Sequence, residues 1–164
     1  MIKYSVSWLP DLVTYNSNTS WDEYIEALYQ YFKQDFIDTK ITFRGQHLRF
    51  KEYPLRGGKV STFYHITTEG DDEENRIFDI ARCERIRWPK PIIESNYAGL
   101  KIWENKRGTE ENILIWFDIV EYLIVIRKRK TYNIFWTAYP VTEPYRKKKL
   151  QKEYEKAQIP KTAP

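Results

Sequence analysis

Three short segments hold the residues best suited to chemistry. In residues 61–67, Ser-Thr-Phe-Tyr-His-Ile-Thr, His65 stands among aromatics and hydroxyls. Histidine exchanges protons readily near neutral pH, which makes His65 a candidate acid/base; a half-buried histidine satisfying a backbone carbonyl would explain it equally well. Residues 82–91 read Arg-Cys-Glu-Arg-Ile-Arg-Trp-Pro-Lys-Pro, three arginines and a lysine around one carboxylate. Arg82 and Arg85 could grip a phosphate and stabilise charge developing on phosphorus, although a salt-bridged helix end uses the same residues. Trp88 is either a base-stacking platform or a packing anchor, and Lys90 adds charge beside it. The third segment is Trp136-Thr137-Ala138-Tyr139. Two apart on an extended chain, Thr137 and Tyr139 face the same way, and their hydroxyls could hold a phosphate or orient a substrate hydroxyl.

The usual signatures of other chemistries are missing: there is no P-loop, GxSxG, HExxH or GxGxxG. One cysteine, Cys83, leaves no intrachain disulfide, and two histidines, His47 and His65, make a protein-built zinc site unexpected. No metal and no cofactor is expected. The first residues contain no apolar signal region, and the most apolar stretch, 113–126, is interrupted by Asp118 and Glu121. The expectation is therefore a cytoplasmic protein without a membrane partner.

The elements that must position these residues follow from spacing. Ser20 with Glu23 three residues on marks a helix start, and Tyr24, Ile25, Leu28, Tyr31, Phe32 and Phe36 recur at helical intervals, predicting a helix over 21–36. Short strands are expected at 41–43 and 47–53. Residues 60–68 leave helix and strand undecided. Asp72 should cap a second helix running through Ile77, Phe78, Ile80 and Ala81 and weakening before Trp88-Pro89. Beyond Gly108, β-rich stretches with short connections predict an antiparallel meander of about four strands at 100–104, 112–117, 122–128 and 132–138. Ile113, Ile115 and Phe117 alternate with Leu114 and Trp116, so both faces of the sheet carry apolar residues. A basic helix is expected over 145–157. The fold class is α+β, with helices first and the sheet after them. At 164 residues the chain suits a single domain, divided into an integrated N-terminal segment (1–58), a core (59–144) and a basic terminal helix and tail (145–164).

Charge is unevenly spread. From residue 127 onward the bases are Arg127, Lys128, Arg129, Lys130, Arg146, Lys147, Lys148, Lys149, Lys152, Lys156 and Lys161, opposed only by Glu143, Glu153 and Glu155. Such an end suits a polyanion, above all RNA or DNA; a solvated tail and hairpin tip have the same composition.

Taken together, Tyr-His-Ile-Thr, Arg-Cys-Glu-Arg-Ile-Arg-Trp with its following Pro-Ile-Ile-Glu, and the meander ending in Trp-Thr-Ala-Tyr resemble phage- and mobile-element-encoded proteins. These belong to the barnase–EndoU–colicin–RelE-like superfamily of metal-independent ribonucleases. The resemblance spans residues 60–150 and implies helices packed on an antiparallel sheet, with the active site on the exposed sheet face. It also implies an endoribonuclease of toxin or phage–host conflict type, cleaving RNA by 2′-OH attack to a 2′,3′-cyclic phosphate, with an antitoxin or immunity protein as a further partner. In that reading His65 is the acid/base, Arg82 and Arg85 bind phosphate, and Thr137 and Tyr139 are sheet-borne site residues. Trp88, Lys90, Arg127–Lys130 and Lys147, Lys148 and Lys149 bind the nucleic acid. Without the resemblance, the residues support a basic α+β domain that binds nucleic acid. The alternatives to the nuclease are an RNA-binding module that does not cut, and an interaction or inhibitor protein (of phage origin, as the resemblance implies) using its acidic N-terminal helix.

Overall fold

Ser20 accepts the Glu23 N–H at 3.1 Å and starts α1 (Trp21–Phe32), with Asp22 and Glu23 complementing the helix dipole in the first turn. The helix buries Tyr24, Ile25, Leu28 and Phe32 and then widens into a π turn over Lys33–Ile37 that carries Phe36 into the core. This computed structural model describes residues 6–160; Lys161 lies outside them. After α1 come β1 (Thr42–Phe43) and β2 (Gln46–Phe50). Residues 60–68 resolve as α2 (Ser61–Thr67), which buries Phe63 and Ile66.

The helix expected from Asp72 through Ala81 is broken into three pieces. Asp72 caps only a single 3-10 turn, Glu73–Asn75. Ile77 and Phe78 form β4 (Ile77–Phe78), paired with β3 (Thr68–Glu69), and remain exposed. Asp79 then caps α3 (Ile80–Glu84) afresh, accepting the Arg82 N–H at 3.2 Å. Two local caps and the Arg76 side chain, which donates to the Gly70 and Thr68 carbonyls at 2.6 Å each, outweigh the apolar spacing. Pro89 opens α4 (Pro89–Glu94), a position where proline's missing N–H costs nothing.

The four meander strands are β5 (Lys101–Arg107), β6 (Glu110–Phe117), β7 (Tyr122–Lys128) and β8 (Asn133–Pro140). The sheet is larger than that meander. It has six strands in the order β1-β2-β8-β7-β6-β5, because β2 adds to β8 in parallel and β1 extends it. A parallel partner some eighty residues away leaves no short-loop signal, so only the antiparallel part follows from spacing.

Both faces are covered, in different ways. Ile113, Ile115, Phe117, Ile124, Ile126 and Phe135 pack against α1–α4 in the main core. Trp103, Leu114, Trp116 and Leu123 pack against Val141 and Leu150 in a smaller core on the other side. Leu150 belongs to α5 (Pro144–Gln158), which lies on the sheet. Lys101 ties it down by reaching Gln151 at 2.6 Å and Asp118 at 2.8 Å, and Lys147 meets Glu121 at 2.6 Å. Among the described residues no helix is long and apolar enough to cross a membrane.

Candidate nucleic-acid interface

Strand pairing arranges the α5-facing side of the sheet in cross-strand rows. One row is Lys101, Trp116, Leu123 and Tyr139; the next is Trp103, Leu114, Val125 and Thr137; a third is Asn105, Asn112 and Arg127. Helix α5 covers the β5 and β6 end of these rows and leaves the β7 and β8 end open. The result is a groove of about 400 Å³ with Leu114, Leu123, Val125 and Thr137 as its floor. Tyr139, Trp136 and Arg127 form the sheet side, and Tyr145, Arg146 and Lys149 of α5 form the other.

A β-bulge shapes the sheet wall. Val125 pairs with Thr137 but Ile126 pairs with Phe135, so Trp136 is the extra residue. Phe135 stays in the main core while Trp136 and Thr137 both reach the groove. The Arg127 guanidinium lies 3.8 Å from the centre of the Trp136 ring. Its Nε donates to Asn112 Oδ1 at 3.2 Å and stands 3.5 Å from Glu110. Burial holds its pKa below the ordinary arginine value, and Glu110 opposes that shift. Its two terminal nitrogens have no hydrogen-bond partner among the described residues.

The groove is strongly positive. Arg107, Arg127, Arg146 and Lys149 line it against one carboxylate, Glu153. Glu153 is already engaged, accepting from Trp103 Nε1 at 3.0 Å and Asn105 Nδ2 at 2.6 Å, with Arg107 at 3.9 Å. Arg146 and Lys149 make no ion pair among the described residues, and Arg146 approaches the Tyr139 ring at 5.7 Å. Cations left unneutralised at the mouth of a concave, partly apolar site concentrate anions there.

The expected site residues divide between this groove and the helical side. Thr137, Tyr139, Arg127 and Lys149 line the groove. His65 does not. It projects from α2 into a crevice too narrow for water, formed with Lys51, Ser61, Thr62 and Trp136, so Trp136 stands between it and the groove. The imidazole Nε2 sits 2.9 Å from Glu73. Burial pushes its pKa down from the usual histidine value; Arg76 and Lys51 act in the same direction, and Glu73 opposes them.

Arg82 lies directly behind Tyr139, its guanidinium 4.8 Å from the ring. Its Nη1 donates to the Thr68 carbonyl at 2.7 Å and the His65 carbonyl at 3.1 Å, closing the C-terminal end of α2. Arg85 turns away from both, donating to the Ala81 carbonyl at 2.9 Å and lying over Trp88. Trp88 is buried against Tyr122 and donates its indole N–H to the Pro10 carbonyl at 2.9 Å. Lys90 is in α4, outside the groove. Lys128 pairs with Glu104, Arg129 with Glu110 at 2.9 Å and Lys147 with Glu121. Lys130 and Lys148 are exposed. Cys83 is buried beneath α2, its thiol pKa pushed up to about 12 by burial, and is no nucleophile.

Sequence reasoning passed over Asn105, Asn112 and Tyr145. The asparagines carried a signal: they are equidistant from the turn around Gly108, so a tight hairpin must set them opposite each other on one face. In comparisons with protein families, curated proteins and solved structures, the chain matches none.

Proposed function

We propose that this protein binds single-stranded RNA in the groove between the β7–β8 face and the first half of α5. The observation carrying this reading is the convergence of Arg146, Lys149 and the open end of Arg127 on one concavity that also presents Tyr139 and Tyr145. Cations bind the sugar-phosphate backbone whatever the base sequence, and exposed aromatic faces stack unpaired bases. Tyr145 is mostly exposed and available for such stacking. A groove of about 400 Å³ holds one or two nucleotides of a flexible strand better than a rigid duplex.

A second reading, cleavage of the bound strand without a metal, is favoured by the position of Thr137 and Tyr139 among the groove cations. In that reaction the ribose 2′-oxygen bonds to the adjacent phosphorus as the bond from phosphorus to the 5′-oxygen breaks. The 2′-hydroxyl loses a proton, the departing 5′-oxygen gains one, and a 2′,3′-cyclic phosphate is left. Arg146 and Lys149 would offset charge on the phosphoryl oxygens, and the Tyr139 hydroxyl would move a proton. His65 enters such a mechanism only if Trp136 moves aside.

One experiment separates the readings. The purified protein is mixed with an unstructured labelled RNA in excess EDTA, and both complex formation and strand ends are followed. Complex formation with intact RNA supports binding alone. Cyclic-phosphate ends that persist in EDTA support cleavage. No complex and no cleavage from low to physiological salt refutes both.

A further inference from the structure

Across the sheet beneath α5 runs a chain of side-chain hydrogen bonds whose direction is set by its two ends. Glu153 can only accept, so Asn105 must present its amide N–H to it, at 2.6 Å. That leaves Asn105 Oδ1 to accept from Asn112 Nδ2, at 3.2 Å. Asn112 Oδ1 in turn faces Arg127, which can only donate, and receives its Nε–H at 3.2 Å. Asn112 is 4% exposed, so these bonds are what make its burial tolerable. At the far end, the Arg127 guanidinium lies over the Trp136 ring, 3.8 Å from its centre. With an indole beside it and its Nε between Asn112 and Glu110, the group lines the groove with its two terminal nitrogens unpartnered among the described residues.

We infer that Asn112, Asn105 and Glu153 are positioning residues for Arg127, and that Arg127 is thereby the one pre-oriented phosphodiester contact of the groove. Arg146 and Lys149, which make no ion pair among the described residues, supply charge without a hydrogen-bonded brace. A fork with two donors in a fixed plane matches two oxygens of one phosphate, and binding loses less side-chain entropy than at a free arginine. The inference rests on the groove being the RNA site, and it makes the docking of α5, through Glu153, part of the binding machinery.

A double-mutant cycle tests it, read by fluorescence anisotropy with a labelled single-stranded RNA 12-mer in EDTA. Arg127→Ala should weaken binding ~10–100-fold, the range for losing a hydrogen bond to a charged group, and Asn112→Ala less, ~5–20-fold, because the arginine and its charge remain. The double variant should bind no worse than Arg127→Ala alone, because Asn112 acts only through that side chain. Asn105→Ala, at a less buried position, repeats the test should Asn112→Ala fail to fold. Glu153→Gln, which keeps the acceptor oxygen, should recover most of what Glu153→Ala loses. Additive losses, or an Asn112→Ala or Asn105→Ala protein that binds like wild type, overturn the inference. If Arg146→Ala and Lys149→Ala weaken binding while Arg127→Ala does not, the groove stands and only the positioning role falls. If none of the three weakens binding, the groove is not the RNA site and both fall.

Discussion

Replacing Arg82 by alanine should cost stability and leave RNA binding almost intact. Its Nη1 donates to the Thr68 carbonyl at 2.7 Å and the His65 carbonyl at 3.1 Å, and its plane covers Tyr139 at 4.8 Å. Charge-assisted hydrogen bonds are worth about 1.5–3 kcal/mol each when a partner is left orphaned. Neither carbonyl is orphaned here, because Arg76 Nη2 also donates to Thr68 at 2.6 Å and to His65 at 3.3 Å. Adding about 0.5–1 kcal/mol for the lost cation–π contact, the net loss should be about 2–3 kcal/mol. For a chain of this size that lowers Tm by roughly 4–12 °C. The redundancy gives a sharper test. With both arginines replaced, both carbonyls lose every side-chain donor, so the double variant should lose at least about 1 kcal/mol more than the two single losses combined. Urea unfolding followed by circular dichroism measures all three, and anisotropy with the RNA 12-mer measures binding. An Arg82→Ala protein that unfolds like wild type yet loses RNA binding or cleavage would refute this reasoning and place Arg82 on the substrate.

Stability should also depend on His65 protonation. Its folded pKa is depressed by burial, so below about 6.5 the unfolded chain takes up a proton that the folded chain resists, and stability falls as pH drops. Urea midpoints measured from pH 7.5 to 5.5 should therefore decline more in wild type than in His65→Gln; equal declines would contradict a half-buried imidazole held below its ordinary pKa. Ser20→Ala should cost about 1 kcal/mol through the lost cap, with Ser20→Thr close to wild type, in the same unfolding assay. Neutralising Arg146 and Lys149 together should flatten the dependence of log affinity on log salt by about 1.4, two contacts at about 0.7 each for a single strand. Lys128→Ala, whose charge is already met by Glu104, should change that slope much less, and equal slopes in the two variants would show that the groove is not where charge counts.

What the sequence made legible was mostly local. Ser20, Glu23 and the helical spacing behind them mark α1, because a cap and an apolar stripe are decided within a few residues. The alternation of Ile113, Ile115 and Phe117 with Leu114 and Trp116 assigns both faces of β6, since side chains in a strand alternate regardless of what covers them. The parallel pairing of β2 with β8 depends on a contact across the whole helical half and leaves no local trace. Residues 72–81 misled the helical reading because Asp72 and Asp79 each cap their own turn and Arg76 captures backbone carbonyls between them. At the candidate site, Thr137 and Tyr139 share a face as two-residue spacing requires, and both line the groove. Arg127 was expected at a solvated hairpin tip. Its side chain is only 18% exposed, drawn inward by Trp136, which a bulge that spacing cannot reveal turns toward the groove. His65 and Arg82 do meet, but backbone to side chain: the histidine carbonyl, not the imidazole, receives the arginine.

The central claim, that RNA lies between β7–β8 and the first half of α5, is tested most directly by amide chemical-shift mapping. Isotope-labelled protein is titrated with an unlabelled single-stranded RNA in EDTA, and shifts are followed residue by residue. Saturable changes should concentrate at Val125–Arg127, Trp136–Tyr139 and Tyr145–Lys149, with small changes at His65 and Glu73 behind Trp136. Shifts centred on His65, Glu73 and the Thr68 turn, or no saturable shifts in the groove, would contradict it.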